Sequence, residues 1–192
     1  MSRPASRRLV VDASVVRSAG GEGAVHPVAK RCRDFLLTVL FACHRMVVTP
    51  DIEDEWKRHR SAFASKWRYS MYAKKKVVYL ADCRDENLRQ KILAVTRDDP
   101  RSDALMEILD KDVHLVEAAI ATDKVIFSLD EVAKAAFRRV AASFALVRPV
   151  LWVNPSDASH EAATTWLTTG GGQPDLWRLG SQGRRRGGRP VG

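Results

Sequence analysis

Apolar residues follow two rhythms along this chain. Leu9-Val10-Val11, Met46-Val47-Val48, Val77 to Leu80 and Val125-Ile126-Phe127 are short apolar runs without polar alternation. Such runs fit strands buried on both faces, as in a parallel sheet. Between them, apolar positions recur every three or four residues. Val28, Cys32, Phe35, Leu36, Val39, Leu40 and Cys43 do so after Pro27, predicting an amphipathic helix with the proline in its first turn. Thr49-Pro50 opens another helix, with threonine as N-cap and proline at the first helical position. Ala13 to Arg17 predicts a helical turn ahead of the Gly20-Gly21-Glu22-Gly23 loop. Further helices are expected over 84–96, over 102–109 and 111–122 (separate or continuous), and from Ser128 through Val140, with a turn at Asp98-Asp99-Pro100. Leu146 to Val153 reads as a last strand, placed at an edge because Pro149 has no N–H for a ladder. Residues 157–168 suit a short extra helix. Strands alternating with helices specify an α/β fold whose central parallel sheet is covered on both faces.

Composition adds a boundary and a charge pattern. Apolar residues make up 45% of the 192, enough for a packed core, but after Thr169 the chain turns to glycine, arginine, proline and serine. That change predicts a flexible tail. The net charge is +9, and it is uneven. Residues 57–76 hold eight Lys/Arg and no acid, residues 178–189 hold five Arg and no acid, and the remainder is net −4. A mildly acidic body with two cationic segments suits a site that grips a polyanion while keeping carboxylates of its own. The longest apolar run, Phe35 to Cys43, is too short to span a bilayer, and Asp12 interrupts the stretch after Arg7-Arg8, which argues against an export signal. Cys32, Cys43 and Cys83 form no C-x-x-C pair and the five histidines are scattered, so a zinc site is not expected. Cys32 and Cys43 fall in the apolar helical pattern and read as core thiols of a reducing, cytoplasmic compartment.

Four carboxylates are poorly explained by local structure. Asp12 directly follows the first strand and Asp130 lies just beyond a later one, where open parallel sheets collect ligands. Each also has a plainer reading: Asp12 as a helix N-cap, Asp130 inside the S-x-x-E capping box of Ser128 and Glu131. In the helix from Pro50, the residues Ile52, Trp56, Phe63 and Trp67 form one apolar stripe, bordered by Glu55 on one side and Glu53 on the other. Periodicity does not choose between them. Asp112 shares the face of Ile108, Leu115 and Ala119, a carboxylate on an apolar surface. A structural ion pair explains either acid, with Lys111 and Lys124 as candidate partners for Asp112. If the four converge, their repulsion raises some pKa values, and a hard divalent cation removes the conflict. Mg²⁺ or Mn²⁺ is the fitting ion, since both prefer oxygen ligands.

The pieces Leu9-Val10-Val11-Asp12-Ala13-Ser14, Thr49-Pro50 with Glu55, Asp112-Val113-His114-Leu115 with Glu117-Ala118-Ala119, and Ser128-Leu129-Asp130 together resemble the PIN-domain nuclease family. Their T-P-x-x-x-x-E spacing selects Glu55 over Glu53. The resemblance covers residues 8–153 and implies a three-layer fold with four or five parallel strands. It implies a nuclease domain over 1–153 followed by an extension, 154–192, with a short helix and a Gly/Arg-rich tail. Asp12, Glu55, Asp112 and Asp130 would be catalytic, metal-binding acids, and Ser14 and Ser128 hydroxyls that steady them. The implied activity is Mg²⁺- or Mn²⁺-dependent endoribonuclease cleavage leaving a 5′-phosphate and a 3′-hydroxyl. Toxin-type members imply a protein antitoxin and a homodimer as partners.

The basic segment offers RNA a place to lie. Lys57, Arg58, Arg60, Lys66, Arg68, Lys74, Lys75 and Lys76 interleave with Phe63, Trp67, Tyr69 and Tyr72, and the segment follows Glu55 on what reads as one helix. Cations meet phosphates and aromatic faces stack unpaired bases. The plainer reading is a solvated face with Phe63 and Trp67 in the core. Arg184-Arg185-Arg186 and Arg189 suit either an RNA- or partner-binding arm or an inert end. His59, on the Glu55 face, suits substrate contact or core packing equally, and His114 reads as a packed or surface residue. Two alternatives to the endoribonuclease stand beside it: a non-catalytic RNA-binding scaffold and a DNA-directed nuclease of repair or defence.

Overall fold

A computed structural model describes residues 4–97, 102–171 and 174–181. Five strands run parallel in one sheet: β1 (Arg8–Val11), β2 (Arg45–Val48), β3 (Val77–Tyr79), β4 (Val125–Phe127) and β5 (Leu151–Val153), in the order β3-β2-β1-β4-β5. Among the described residues, eight α-helices connect or follow them: α1 (Ala13–Ser18), α2 (Pro27–Phe41), α3 (Pro50–His59), α4 (Ala62–Ala73), α5 (Glu86–Arg97), α6 (Ser102–Ile120), α7 (Glu131–Ser143) and α8 (His160–Thr169). The apolar residues of the three central strands are all buried, as their unbroken apolar runs require, with only Arg8 and Arg45 at the strand starts reaching solvent. Helix α2 packs on α1, α4 and α8, while α6 packs on α5 and α7, which makes the three-layer α/β arrangement. Chain order reverses direction at β1: β2 and β3 lie to one side, β4 and β5 to the other. The crevice at the carboxyl ends of β1 and β4 is therefore a topological switch point, where open α/β sheets form ligand sites.

Several boundaries differ from the sequence expectation. The helix expected to run on from Pro50 breaks at Arg60-Ser61. Arg60 is extended, and Ser61 caps α4 by accepting from the Ala64 N–H while its own hydroxyl donates to the Val16 carbonyl at 2.7 Å. The chain is thus pinned to α1 at the break. Gly20, at φ +64°, lends its carbonyl to the Phe63 N–H and holds the same turn. Residues 102–120 are one helix, and β5 begins only at Leu151, past Pro149, at the edge of the sheet. Cys32 is buried as expected, but Cys43 lies beyond the end of α2, half-buried. The Asp98-Asp99-Pro100 turn and Arg184, Arg185, Arg186 and Arg189 fall outside the described residues.

The described part of the extension joins the same core, and the chain is not a flexible tail from Thr169 onward as its composition suggested: Pro174–Trp177 forms a short helical turn, Trp177 and Leu179 are buried, and the Leu179 N–H donates to the Val150 carbonyl at 2.8 Å. Trp166 and Trp177 meet edge to face at 5.7 Å, Arg7 stacks over Trp166, and Arg178 bridges to Leu151. Trp152, buried in β5, stacks on Phe137 of α7. His44 accepts from the Arg7 N–H at Nδ1 and donates from Nε2 to the Leu167 carbonyl, so both nitrogens are satisfied in the neutral ring that burial favours. Among the described residues, no helix is long and apolar enough to cross a membrane.

Candidate active site

Asp12, Glu55, Asp112 and Asp130 line one cavity of about 140 Å³, together with Ala13, Ser14, Arg17, His59 and Lys111. Four elements deliver the acids. Asp12 directly follows β1 and Asp130 lies three residues past β4, so both stand just beyond the carboxyl ends of the two strands flanking the switch point. Glu55 comes from α3 and Asp112 from α6.

Asp12 is the most firmly held. Ser14 and Ser128 both donate their hydroxyls to its Oδ2, the latter at 2.7 Å. Each serine oxygen accepts a backbone N–H in turn, Ser14 from Leu129 and Ser128 from Asp130, both at 3.0 Å. The β4–α7 turn thus fixes Asp12 through two hydroxyls and leaves Oδ1 without a donor among the described residues. Asp12 occupies the N-cap position of α1, but its side chain makes no capping bond. The plainer reading fails for it.

For Asp130 the plainer reading holds in part. Helix α7 starts at Glu131, and its cap is Asp130 rather than Ser128: Oδ1 accepts the Ala133 N–H at 2.8 Å. The S-x-x-E box does not form, because the Ser128 hydroxyl is spent on Asp12 and on the Asp130 N–H. Asp130 Oδ2 remains, 3.9 Å from the Lys111 ammonium.

Asp112 is the most constrained. Its side chain is 6% exposed and, among the described residues, receives no hydrogen bond; Lys111 Nζ approaches only to 3.9 Å. Burial, and then the charges of Asp12 and Asp130, push its pKa up to about 6, against the pull of Lys111. The expected ion pair therefore exists, but as one long, solvent-facing contact.

Glu55 and Glu53, equivalent by periodicity, part company in three dimensions. Glu53 pairs with Arg68, whose guanidinium lies over the Tyr72 ring, while Glu55 faces the cavity. Glu55 Oε2 lies 3.6 Å from Nε2 of buried His114, whose Nδ1 is 3.1 Å from the Lys111 carbonyl. Burial alone would raise the Glu55 pKa, but His114, with Lys111 and Arg58, holds it below the ordinary value. Reciprocally, burial alone would lower the His114 pKa, but Glu55, with Asp51 and Asp112, raises it above the ordinary value. The Trp56 indole donates to the Val11 carbonyl at 3.0 Å, which ties the helix carrying Glu55 to the residue before Asp12. Arg17, five residues past Asp12 on α1, was not singled out by pattern, and neither was this pairing of His114 with Glu55. The signal for Arg17 was only its spacing from a strand-end acid. His59 is exposed and lines the cavity, so core packing does not hold for it.

A second, more open cavity of about 400 Å³ shares Glu55 and Lys111 with the first and is lined by Arg58, Arg84, Arg89 and His114 on its cationic side. Of the predicted basic residues, Arg58 lies here. The others disperse. Lys57 pairs with Asp54, Lys66 with Glu22 and Arg68 with Glu53, while Arg60 bonds Ser65. Lys76 donates to carbonyls at the end of α2, including Leu40 at 2.7 Å. Lys74 and Lys75 are exposed just before β3, whose first residue pairs with the first half of β2. Lys74, Lys75 and Lys76 thus sit at the amino ends of the strands, opposite the carboxylates. The segment begins beside the site, as expected, but the break at Ser61 and the return along α4 carry its far end away.

Neither models of known protein families nor curated protein sequences match this chain. Among the described residues, no three acidic, cysteine or histidine side chains approach closely enough to ligate one ion as they stand. Bare carboxylates repel, and the Lys111 ammonium stands between Asp112 and Asp130.

Proposed function

We propose that this chain is a Mg²⁺- or Mn²⁺-dependent nuclease that hydrolyses RNA. One observation carries the reading: Asp112 is buried beside two other carboxylates in a polar cavity with no hydrogen-bond donor of its own. Leaving a buried carboxylate unsatisfied costs stability, and an apolar residue at this position would avoid that cost. A hard cation gives the arrangement a use. The donor set fits one: Asp12 Oδ1, Asp130 Oδ2, Asp112 and Glu55 offer oxygens alone, which favours Mg²⁺ or Mn²⁺ over zinc.

When bound, such an ion neutralises phosphate charge and generates a nucleophile from water near neutral pH. The chain's own residues supply the rest. Ser14 and Ser128 lock one oxygen of Asp12 and aim the other at the cavity. His114 keeps Glu55 ionised and so able to accept a proton or orient water. Arg17, Arg58 and Lys111 surround the carboxylates with positive charge suited to a nucleic-acid backbone. The resemblance to toxin-type members adds a protein antitoxin as a partner to seek.

The test is Asp12→Asn, assayed on single-stranded and structured RNA and on DNA with and without Mg²⁺. Cleavage is expected to vanish while RNA binding persists. Unchanged cleavage would sink the assignment. An absence of any cleavage by the parent, with RNA still bound, would favour the non-catalytic scaffold, and cleavage confined to DNA would move the substrate.

A further inference from the structure

Among the described residues, Lys111 is the cation that lines both cavities. Its Nζ lies 3.9 Å from Asp112 Oδ1 and 3.9 Å from Asp130 Oδ2, so it stands between two of the candidate ligands. These contacts are too long for hydrogen bonds, and the side chain is 64% exposed. An ammonium held in this way balances charge but is weakly tethered. Beside it lies the 400 Å³ cavity, where Arg89 is committed to Glu117 and Arg84 to Glu86. Arg58 there bonds only the Asp54 carbonyl through Nε and forms no ion pair among the described residues.

We propose that Lys111 is an exchangeable counter-cation: it neutralises Asp112 and Asp130 in the ion-free protein and swings beside Arg58 when a nucleic-acid phosphodiester occupies the second cavity. This deepens the nuclease reading and rests on it. A divalent ion and an ammonium repel each other at the same carboxylates, so the ion enters more easily once Lys111 has left. A phosphodiester draws Lys111 outward and thereby opens the carboxylates. By linkage, the ion must promote phosphodiester binding by the same factor. On this view Lys111 serves two partners in turn, the carboxylates in the ion-free protein and the phosphodiester once it is bound.

Mn²⁺ binding to the full chain, read by titration calorimetry and by the electron paramagnetic resonance signal of free Mn²⁺, tests this. The parent, Lys111→Met and Lys111→Arg are compared without and with a phosphorothioate RNA oligonucleotide. Lys111→Met, which keeps the stem and removes the charge, is expected to bind Mn²⁺ alone about tenfold more tightly than the parent. The gain in Mn²⁺ affinity from the oligonucleotide should shrink by about the same factor, and Lys111→Arg should behave as the parent. Equal Mn²⁺ affinity in parent and Lys111→Met, or an unchanged gain from the oligonucleotide, overturns the exchange while leaving the nuclease reading intact. Mn²⁺ binding to none of the three overturns both. Circular dichroism of each variant confirms that the exposed substitution leaves the fold in place.

Discussion

Asp112→Asn should stabilise the ion-free protein at neutral pH while abolishing its metal binding. The folded Asp112 carboxyl has its pKa pushed from 3.8 up to about 6 by burial, with Asp12 and Asp130 adding to the effect. About two pKa units correspond to a penalty on the order of 3 kcal/mol for keeping the ionised group in the fold. The folded carboxyl holds its proton more tightly than the unfolded one. Stability from this group therefore declines as pH climbs from about 4 to about 6, and the full penalty persists above that range. The neutral amide removes the charge but forfeits the Lys111 contact and is itself polar, which leaves a net gain of about 2 kcal/mol, or roughly 4–8 °C in Tm. Urea and thermal unfolding in EDTA at pH 5 and pH 8 measure it. The parent should lose stability between the two pH values, and the variant should lose less. A variant less stable than the parent at pH 8, or one with the same pH dependence, would refute the idea that Asp112 carries an uncompensated buried charge. Saturating Mn²⁺ should reverse the ranking, because only the parent gains ion-binding energy.

Three further outcomes follow from the geometry. Arg89→Met removes the bidentate partner of Glu117, a carboxylate 3% exposed that also accepts the Asp85 N–H. Urea unfolding should show a loss of about 3–5 kcal/mol, and a loss under about 1 kcal/mol would show that Glu117 finds other partners. Trp56→Phe leaves the Val11 carbonyl without its indole donor. It should cost about 1–3 kcal/mol and lower kcat more than RNA affinity, since it loosens Asp12 relative to Glu55; an unchanged kcat counts against that link. Arg58→Ala should weaken RNA binding and reduce the salt slope by about one, while the Lys74→Ala, Lys75→Ala double variant should leave both near the parent values. The reverse pattern places the RNA at the other end of the sheet.

Much of the frame was legible because its causes are local. Leu9-Val10-Val11 and Val125-Ile126-Phe127 have no polar side to offer solvent, so they become central strands. Thr49-Pro50 starts α3 because a hydroxyl cap and a fixed φ suit that position, and Ser61 carried an equally local signal for the break that periodicity passed over. Continuing the apolar stripe through Phe63 and Trp67 hid it: both residues do pack inward, but from a second helix.

What sequence alone determined is the order of the strands and of most helices, and the strand-end position of Asp12 and Asp130, because burial and capping act over a few residues. Tertiary structure decided the rest. Glu53 and Glu55 flank the same stripe, and only the position of Arg68 on the following helix takes one away and leaves the other facing Asp12. The eight basic residues read as one surface, yet the turn at Ser61 distributes them between the two ends of the sheet. Lys111 and Arg58 acquire their meaning only from the cavity between α3 and α6. These are contacts between residues far apart in the chain, and a local pattern carries no record of which distant charge will stand opposite.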